Sequence, residues 1–210
     1  MSAQSSEAIV LRTFPLKEAD LIVSYFTRDL GKLRGIAKRA RRPKSPFGAG
    51  LQRLSYVRMT YQHRDNRELD FLDSCEILSS PFGMTADYDV SVALDFLTEA
   101  SEHLLPAGEP NERFFRLILA VRNYLAAAGP AGVWPAVTYF ALWSARLGGF
   151  LGPMDLNEDE QAIGEEMLRV KLADLTPRVW ERATAAGLRR QLVRAIEEQV
   201  ERRITTLQYL

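Results

Sequence analysis

The sequence predicts an α+β protein in which a small β-barrel is followed by an all-α helical bundle. Its first eighty residues divide into short apolar segments separated by Pro, Gly, Asp and Asn, as expected for strands joined by turns. After Pro81 the apolar residues recur at the three- and four-residue spacing of helices. This change of period predicts a strand domain at residues 1–80 and a helical domain at residues 81–210.

Five strands are predicted in the N-terminal part of the chain. They are Ala8–Thr13, Leu21–Thr27, Lys32–Arg39, Leu51–Gln62 and Leu69–Ile77. The turn Arg28–Gly31 joins the second strand to the third, which should pair as an antiparallel hairpin. Five short strands with one longer loop fit a closed barrel of the oligonucleotide-binding (OB) type, and an SH3-like barrel fits the pattern nearly as well.

The C-terminal part has the pattern of a bundle of amphipathic helices. The predicted helices are Asp87–Leu105, a second through Phe114–Leu125, a third from Pro135 to Leu147 and a last one through Leu188–Ile204. An acidic connector is expected near residues 152–161, although Glu158, Asp159 and Glu160 also resemble a helix first turn, where acids favour the helix dipole. Residues 174–184 have room for a further short helix.

The charges of the chain are divided between its two parts. Residues 1–67 carry 14 Lys/Arg and 5 Asp/Glu, whereas residues 68–210 carry 13 and 22, so a net charge of +9 is followed by one of −9. The total of zero therefore hides a basic N-terminal part, which suggests a polyanionic partner.

Cys75 is the only cysteine in the sequence, so no internal disulfide can form. A single thiol indicates a reducing compartment, and its expected role is that of a small buried hydrophobe. We expect no membrane span, because no apolar run approaches the roughly 20 residues required, and the N-terminus lacks the features of a signal peptide. These observations predict a cytoplasmic protein.

The segment Gly31–Ser45, GKLRGIAKRARRPKS, is called the basic block below. It places seven cations in fifteen residues without an acid: Lys32, Arg34, Lys38, Arg39, Arg41, Arg42 and Lys44. In its first part, polar and apolar residues alternate as in a strand with one face exposed to solvent, and Arg41–Gly50 follows as a loop. Because like charges at this density repel one another, a polyanion such as a phosphate backbone is the expected partner.

Single-stranded nucleic acid also requires flat side chains on which bases can stack. Phe47 in the basic loop is one candidate, and Tyr56, which shares a strand face with Arg58, is another. Each has an alternative explanation of equal weight. Phe47 would otherwise anchor the loop, and Tyr56 would be a half-buried barrel residue.

Catalytic and metal chemistry has little support in the sequence. A structural zinc site needs four ligands, usually Cys or His, and the chain has only His63, Cys75 and His103. Paired carboxylates such as Asp70 and Asp73 could hold magnesium, but no phosphate-binding GxxxxGK[ST] or GxGxxG motif accompanies them. We therefore expect neither an enzyme nor a cofactor.

The run Glu7–Ser45, EAIVLRTFPLKEADLIVSYFTRDLGKLRGIAKRARRPKS, closely resembles the N-terminal domain of the RecO family of DNA repair proteins. In that family a strand ending in VL-R precedes an E-[AS]-D-L-I-V strand, the pair FT, and then G-K-L-R-G-[IV]-A-[KR]-[GR]-A-R-[RK]-[PS]-K-S. Shorter matches follow at Phe47-Gly48, Leu51-Gln52, Leu104-Leu105, Glu109-Pro110-Asn111 and Ile204–Leu210.

The resemblance implies an OB-fold domain and a helical domain that act together in recombinational repair. RecO-like proteins bind single- and double-stranded DNA, anneal complementary strands, partner with RecR, and help to load RecA onto DNA coated by single-stranded-DNA-binding protein (SSB). They use no cofactor and work on the nucleoid. The seven cations of the basic block would then contact DNA, together with Phe47, Tyr56 and Arg58.

Two further implications concern the helical half. In the family, the acidic, aromatic-ended tail of SSB docks on a hydrophobic groove edged with basic residues, and possible counterparts here are Arg113, Phe114, Arg116 and Arg122. Many members also carry a four-cysteine zinc finger after a leucine-glycine-aromatic stretch. Here Leu147–Phe150 continues without any cysteine.

Two other functions fit the residues. A protein-interaction adaptor could dock an acidic partner on the basic barrel, and an OB protein could bind RNA, because phosphates and aromatic faces do not distinguish the two sugars.

Overall fold

The computed structural model describes residues 3–63 and 68–210. The N-terminal strands are β1 (Gln4–Leu16), β2 (Asp20–Thr27), β3 (Gly31–Ala37), β4 (Tyr56–Gln62) and β5 (Asp70–Ser79). The helices that follow are α1 (Tyr88–Leu104), α2 (Glu112–Ala128), α3 (Val133–Leu147), α4 (Glu158–Arg169) and α5 (Ala186–Val200).

The five strands close into a barrel in the order β1-β2-β3-β5-β4. All neighbouring strands are antiparallel except β3 and β5, which pair in parallel. A five-stranded Greek-key barrel of this kind confirms the predicted OB-type fold. The α+β class is confirmed as well, because the chain beyond the barrel is helical.

The predicted strands match the observed ones most closely where hydrophobic alternation is clear. The exception is the fourth, which was expected from Leu51 but begins at Tyr56 because residues 51–55 form turns. The apolar side chains of Leu51 and Leu54 are buried from within these turns. These buried side chains gave an irregular segment the apolar pattern of a strand.

The hairpin between β2 and β3 depends on Gly31. Its φ of 77° lies in the left-handed region, and a Cβ at this position would lie 2.3 Å from the backbone oxygen of Glu109. Thr27 closes the turn, because its hydroxyl accepts the amide of Leu30 at 3.0 Å and donates to the carbonyl of Gly31 at 2.9 Å. The hairpin predicted from Arg28–Gly31 is confirmed.

The chain folds into two compact units that interleave along the sequence. The barrel unit contains Met1–Gly83 and Ser101–Phe115, and the helical unit contains Met84–Ala100 and Arg116–Leu210. Within the barrel unit, segment 101–115 covers part of the outer face of β2. The Phe115 ring lies 5.7 Å from the ring of Phe26, and Ser24 donates a 2.7 Å hydrogen bond to Glu102.

The helices of the helical unit depart from the predicted ones mainly at their ends. Helix α3 begins at Val133, before Pro135, because a proline is tolerated in the first turn of a helix, where amide groups have no partner. Helix α5 ends at Val200, and Ile204 is buried beyond it. Residues 174–184 form no α-helix.

Helix α4 begins inside the stretch that was expected to be an acidic connector. Asn157 and Glu160 form a capping box, in which the Asn157 side chain accepts the Glu160 amide at 2.9 Å. Glu160 also accepts hydrogen bonds from the amides of Gly187 and Leu188, at the start of α5. The acids at 158–160 are therefore the first turn of a helix, as their favourable interaction with the dipole had suggested.

Within residues 3–63 and 68–210, one helical stretch is long and apolar enough by composition to cross a membrane. It is Glu112–Leu147, which consists of α2, α3 and the turn between them. Within its most apolar window, 61 % is buried inside the protein. The expectation that no apolar run approaches the length of a span is therefore wrong for this stretch. Its burial is typical of core helices in soluble proteins.

Glu99 on α1 holds the C-terminal segment of the helical unit. Its carboxylate accepts hydrogen bonds from the amides and hydroxyls of Thr205 and Thr206 at 2.7–3.1 Å. Partial burial raises the pKa of this carboxylate, but these bonds lower it by more, so the pKa lies below its usual value. The ionised form therefore stabilises the folded state.

Replacing Glu99 with Gln should destabilise the helical unit by about 1–2 kcal/mol at pH 7, because charge-assisted hydrogen bonds are lost. A folded-state pKa below the unfolded one gives stability that is complete above the unfolded pKa and disappears as the pH falls. The difference between Glu99→Gln and the wild type should accordingly shrink below about pH 4. Urea unfolding across pH measures both effects. Glu181→Gln, at an exposed position, is the control, and an equal loss there would contradict the assignment.

Candidate nucleic-acid interface

Strand β3 presents one side of the basic block to solvent. Leu33 and Ala37 face the barrel core, whereas Arg34 and Lys38 are exposed on the opposite face. This alternation agrees with the prediction from the sequence. Arg12 on β1 is also exposed. It lies on the same outer face as Arg34, because both residues pair with Ser24 on β2.

Arg12 was not among the predicted site residues. A lone arginine in a strand carries no signal of its own, because its distance from the basic block along the sequence gives no hint of proximity. Only the register of β1 against β2 brings it to the same surface. The alternation of β1 would have revealed that it points outwards, had the bulge between Val10 and Arg12 been known.

The loop after β3 carries the remaining cations of the block. Lys38, Arg39, Arg41, Arg42 and Lys44 are all exposed. The loop is a chain of turns, with amides of residues 42, 45, 48 and 50 donating to carbonyls three residues earlier. The charges are thus held on an ordered backbone.

Two contacts fasten the start of this loop to the turn between β1 and β2. The amide of Arg41 donates to the carbonyl of Ala19 at 3.0 Å, and the amide of Arg39 donates to the Asp20 carboxylate at 2.8 Å. Arg39 adopts a left-handed φ of 56°. Both arginines use their backbone amides in these bonds, and the Arg41 guanidinium adds one long contact of 3.5 Å to the carbonyl of Glu18.

Lys32 differs from the other cations of the block. It is half-buried, and its ammonium group donates to the backbone carbonyl of Glu102. Burial lowers the pKa of Lys32, and the nearby Arg34 acts in the same direction against the Glu102 carboxylate. Its position beneath segment 101–115 makes it a structural residue in this conformation.

Phe47 occupies the barrel core. Its side chain is 2 % exposed and packs in the cluster that contains Val57 and Met59. Its backbone carbonyl also accepts a 3.3 Å contact from the Cys75 thiol. The ring therefore offers no face to a base, and the alternative explanation, an anchor that holds the loop, agrees with the structure.

Tyr56 belongs to a packed cluster on β4. Its hydroxyl donates to the Glu7 carboxylate at 2.6 Å, and its ring meets the ring of Phe115 edge-on at 6.1 Å. Burial, followed by the hydrogen bond to Glu7, raises the pKa of Tyr56. Arg28 closes the cluster, with its guanidinium 2.7 Å from Glu7 and 4.9 Å from the Phe115 ring centre.

Arg58, the companion of Tyr56 on β4, is exposed and forms an ion pair of 2.9 Å with Glu76 on β5. Strand β4 pairs with β1 and β5, whereas β3 pairs with β2 and β5. The two strands are therefore not neighbours, and the structure does not place Tyr56 and Arg58 on the surface of the basic block.

The exposed cations on β1, β3 and the following loop are called the basic face below. They are Arg12, Arg34, Lys38, Arg39, Arg41, Arg42 and Lys44. Within the described part of the chain, none of these side chains has a carboxylate oxygen within 4.0 Å. Neighbouring cations without acidic partners produce a positive potential that attracts polyanions.

Known proteins resemble this chain over nearly all of its length. The family model for the N-terminal domain of recombination protein O matches residues 1–81. The DNA repair protein RecO of Koribacter versatilis is 37 % identical over 99 % of this chain and 98 % of its own length. This chain belongs to the RecO family. The RecO protein of Salinibacter ruber is 31 % identical over 88 % of this chain and 73 % of its own length.

The resemblance expected from Glu7–Ser45 is thereby confirmed. RecO proteins act in DNA repair and recombination as mediators and are not enzymes. The predicted absence of catalysis agrees with this family.

The four-cysteine zinc finger of many RecO proteins cannot form in this chain, because Cys75 is its only cysteine. Among the residues that the structure describes, no group of His, Cys, Asp and Glu is arranged to hold a metal ion. Burial raises the pKa of the Cys75 thiol to about 11. His63 has a structural explanation, because its Nδ1 lies 2.8 Å from the buried Asp70.

The four residues expected to meet the SSB tail in RecO lie on α2, with different exposure. Arg113 and Arg116 are exposed, whereas Phe114 and Arg122 are only 3 % and 2 % exposed. Burial lowers the pKa of Arg122. The apolar component of the expected groove is therefore in the interior, and these residues do not form a hydrophobic surface edged with cations.

A cavity of about 390 Å³ lies in the helical unit. Its walls include Trp134, Val193, Leu207, Arg182, Arg189, Arg190 and Arg194. Four arginines and three apolar side chains thus line it, together with Glu197 and Gln208. Sequence reasoning missed this site because its residues come from α3, α5 and the segments before and after α5.

Arg189 fixes one wall of this cavity. Its guanidinium lies 4.4 Å from the centre of the Trp134 ring and donates to the carbonyls of Thr184 and Arg182. Burial, together with Arg182 and Arg190, lowers its pKa to about 10. Arg189 is therefore a buried support for the Trp134 ring, while Arg190 and Arg194 are exposed.

Replacing Phe47 with Ala should destabilise the barrel unit by about 3–5 kcal/mol, because a large ring is removed from a packed core. Denaturant unfolding measures this loss. Phe82→Ala is the matched control, because Phe82 is 70 % exposed and its truncation should change stability by no more than about 0.5 kcal/mol. A Phe47→Ala protein with wild-type stability would show that the ring is not a loop anchor.

Proposed function

We propose that this chain binds single- and double-stranded DNA through the basic face of its barrel and anneals complementary strands. As in the RecO family, it would act with RecR and with SSB in the cytoplasm to assist the loading of RecA onto DNA. The observation that carries this proposal is the ordered basic face. Its seven exposed cations have no acidic partner within 4.0 Å among the residues described.

The physical mechanism rests on phosphate contacts. Each phosphate that a cation neutralises releases condensed counterions, so the affinity for single-stranded DNA falls with salt by a log-log slope of about −0.7 per contact. Phosphate contacts position a nucleic acid without choosing its sequence. Two strands held in this way repel each other less, while their base edges stay free to pair.

The expected contribution of each cation to DNA binding depends on the contacts that hold it in place. Arg39, Arg41 and Arg42 lie in the loop, where only their backbone groups or a single long contact hold them. Arg12 and Arg34 lie on strands beside the ring of Phe14. The loop arginines should therefore supply most of the salt-dependent affinity, and the strand arginines a more fixed contact.

The arginine-lined cavity of the helical unit is the proposed site for the SSB tail. Trp134, Val193 and Leu207 would receive the aromatic end of such a tail, and Arg190 and Arg194 would meet its acids. Glu197 also lines this wall, but its carboxylate accepts the amide of Ile204 at 2.8 Å. This assignment replaces the proposal on α2, whose Phe114 is buried.

Changing Arg39, Arg41 and Arg42 together to Glu should weaken DNA binding roughly tenfold or more at 0.1 M salt and reduce the salt slope by about 2, since three phosphate contacts are lost. Fluorescence anisotropy with labelled DNA across salt measures both quantities, and strand annealing with and without SSB should be impaired in parallel.

The matched control changes Arg113, Arg116 and Arg169 to Glu, because these arginines are exposed in α2 and α4 and the alteration of net charge is the same. An unchanged affinity and salt slope in the loop variant would overturn the DNA-binding proposal. Wild-type protein that binds RNA more tightly than DNA of the same sequence would assign the basic face to RNA instead. Protein that binds neither would favour an adaptor.

Changing Arg190 and Arg194 to Glu should reduce the affinity for a peptide with the SSB tail sequence at least about tenfold, because favourable charge pairing becomes repulsion. Anisotropy of a labelled peptide at low salt measures the effect. Arg113→Glu with Arg116→Glu is the control and should bind the peptide as the wild type does. Loss of binding in the control alone would return the site to α2.

A further inference from the structure

Four apolar side chains form a line across the outer face of the barrel. They are Phe14 on β1, Ile22 on β2, Ile36 on β3 and Phe71 on β5, and they are called the apolar row below. The strand register pairs Phe14 with Ile22, Ile22 with Ile36, and Ile36 with Phe71. Because residues directly opposite each other lie on the same face of a sheet, the four side chains are successive neighbours.

The row lies on the outside of the barrel and is partly open to solvent. Val23, Ala37 and Leu72, which follow its members along three of the strands, face the core. All four row residues are half-buried. Strands lie about 4.8 Å apart, so the row extends for about 14 Å.

Members of the basic face lie over both aromatic rings of the row. The guanidinium groups of Arg12 and Arg34 lie 5.4 Å and 5.5 Å from the centre of the Phe14 ring. At the other end, the ammonium group of Lys38 lies 5.1 Å from the centre of the Phe71 ring. These exposed cations would move from the rings to the phosphates of a bound strand, which would open the ring faces to its bases.

The acids near the row are engaged by other groups. The Asp20 carboxylate accepts the amide of Arg39 at 2.8 Å, the Asp73 carboxylate accepts the Gln62 amide group at 3.2 Å, and the Glu102 carboxylate accepts the Ser24 hydroxyl at 2.7 Å. Their charge partly offsets that of the cations, but the four cations Arg12, Arg34, Lys38 and Arg39 outnumber them. The balance favours an anionic ligand.

We propose that the apolar row is a stacking surface for the bases of single-stranded nucleic acid, while the flanking cations hold its phosphates. This inference rests on the proposed DNA binding and adds to it a means of preferring single strands. In a duplex the faces of the bases are already stacked on one another, so only the cations could contribute. Stacking on aromatic rings tolerates any base, because every base has a π-face.

The test compares oligothymidine with an abasic strand of the same length and charge. Wild-type protein should bind oligothymidine about fivefold or more tightly than the abasic strand, since stacking on one ring is worth at least that factor. Changing Phe14 and Phe71 together to Leu keeps the row apolar but removes its rings. This variant should bind both strands alike, and its affinity for duplex DNA should fall by a smaller factor than its affinity for oligothymidine.

Phe82→Leu is the control, because Phe82 is an exposed phenylalanine outside the row, and it should retain the preference for bases. Wild-type protein that binds oligothymidine and the abasic strand equally would overturn the stacking surface while leaving the phosphate-binding proposal intact. Binding to neither strand would instead overturn the proposed function. Dimerisation of the wild type that the double variant loses, measured by sedimentation, would assign the row to contact between copies.

A second variant protects the test against misfolding of the first. Phe14→Trp places a fluorescent ring in the row, and the native tryptophans Trp134, Trp143 and Trp180 all belong to the helical unit. Oligothymidine should quench the additional emission of this variant, and the abasic strand should not. Equal quenching by both strands, or by neither under conditions where oligothymidine binds, would contradict stacking at Phe14.

Discussion

The parallel pairing of β3 with β5 is the constraint on which the barrel and its proposed DNA-binding surface depend. It closes the sheet, and it requires close approach at Gly35, where a Cβ would lie 2.6 Å from the side chain of Leu72. Buried Asp70 at the start of β5 reinforces this junction, because it accepts hydrogen bonds from Tyr25 on β2 and binds His63. Without this closure, Phe71 would not lie beside Ile36, and the outer surface would have no apolar row.

The same barrel divides the basic block into parts with different roles. Segment 101–115 covers Lys32, so that this lysine bonds to a carbonyl within the fold. Arg34 and the loop cations remain exposed. Phe47 lies in a basic loop, which suggested that its ring stacks on a base. The ring is instead the anchor that keeps the loop close to the core. Order in the loop therefore comes from burial of this ring together with the backbone hydrogen bonds of the turns, and the charges stay at the surface.

Under the proposed function, the two kinds of contact serve different ends. Phosphate contacts from the loop would supply affinity that depends strongly on salt and is indifferent to sequence. Stacking on the apolar row would favour unpaired strands, also without regard to sequence. A recombination mediator has to accept any gap or break, and neither kind of contact reads base edges. Both are thus suited to the role that defines the RecO family.

The sequence by itself determined the barrel, the helices that follow it, the basic surface and the family, because these depend on local periodicity and on a dense motif between Glu7 and Ser45. Only the tertiary structure decided which residues share the proposed DNA-binding surface. Arg12 and Phe71 join the surface through strand register, whereas Tyr56 and Arg58 leave it because β4 and β3 are not neighbours. The cavity around Trp134 likewise unites residues distant in the chain. Local sequence patterns predict the secondary structure of a segment, but only the packing of distant segments brings the residues of a binding site together.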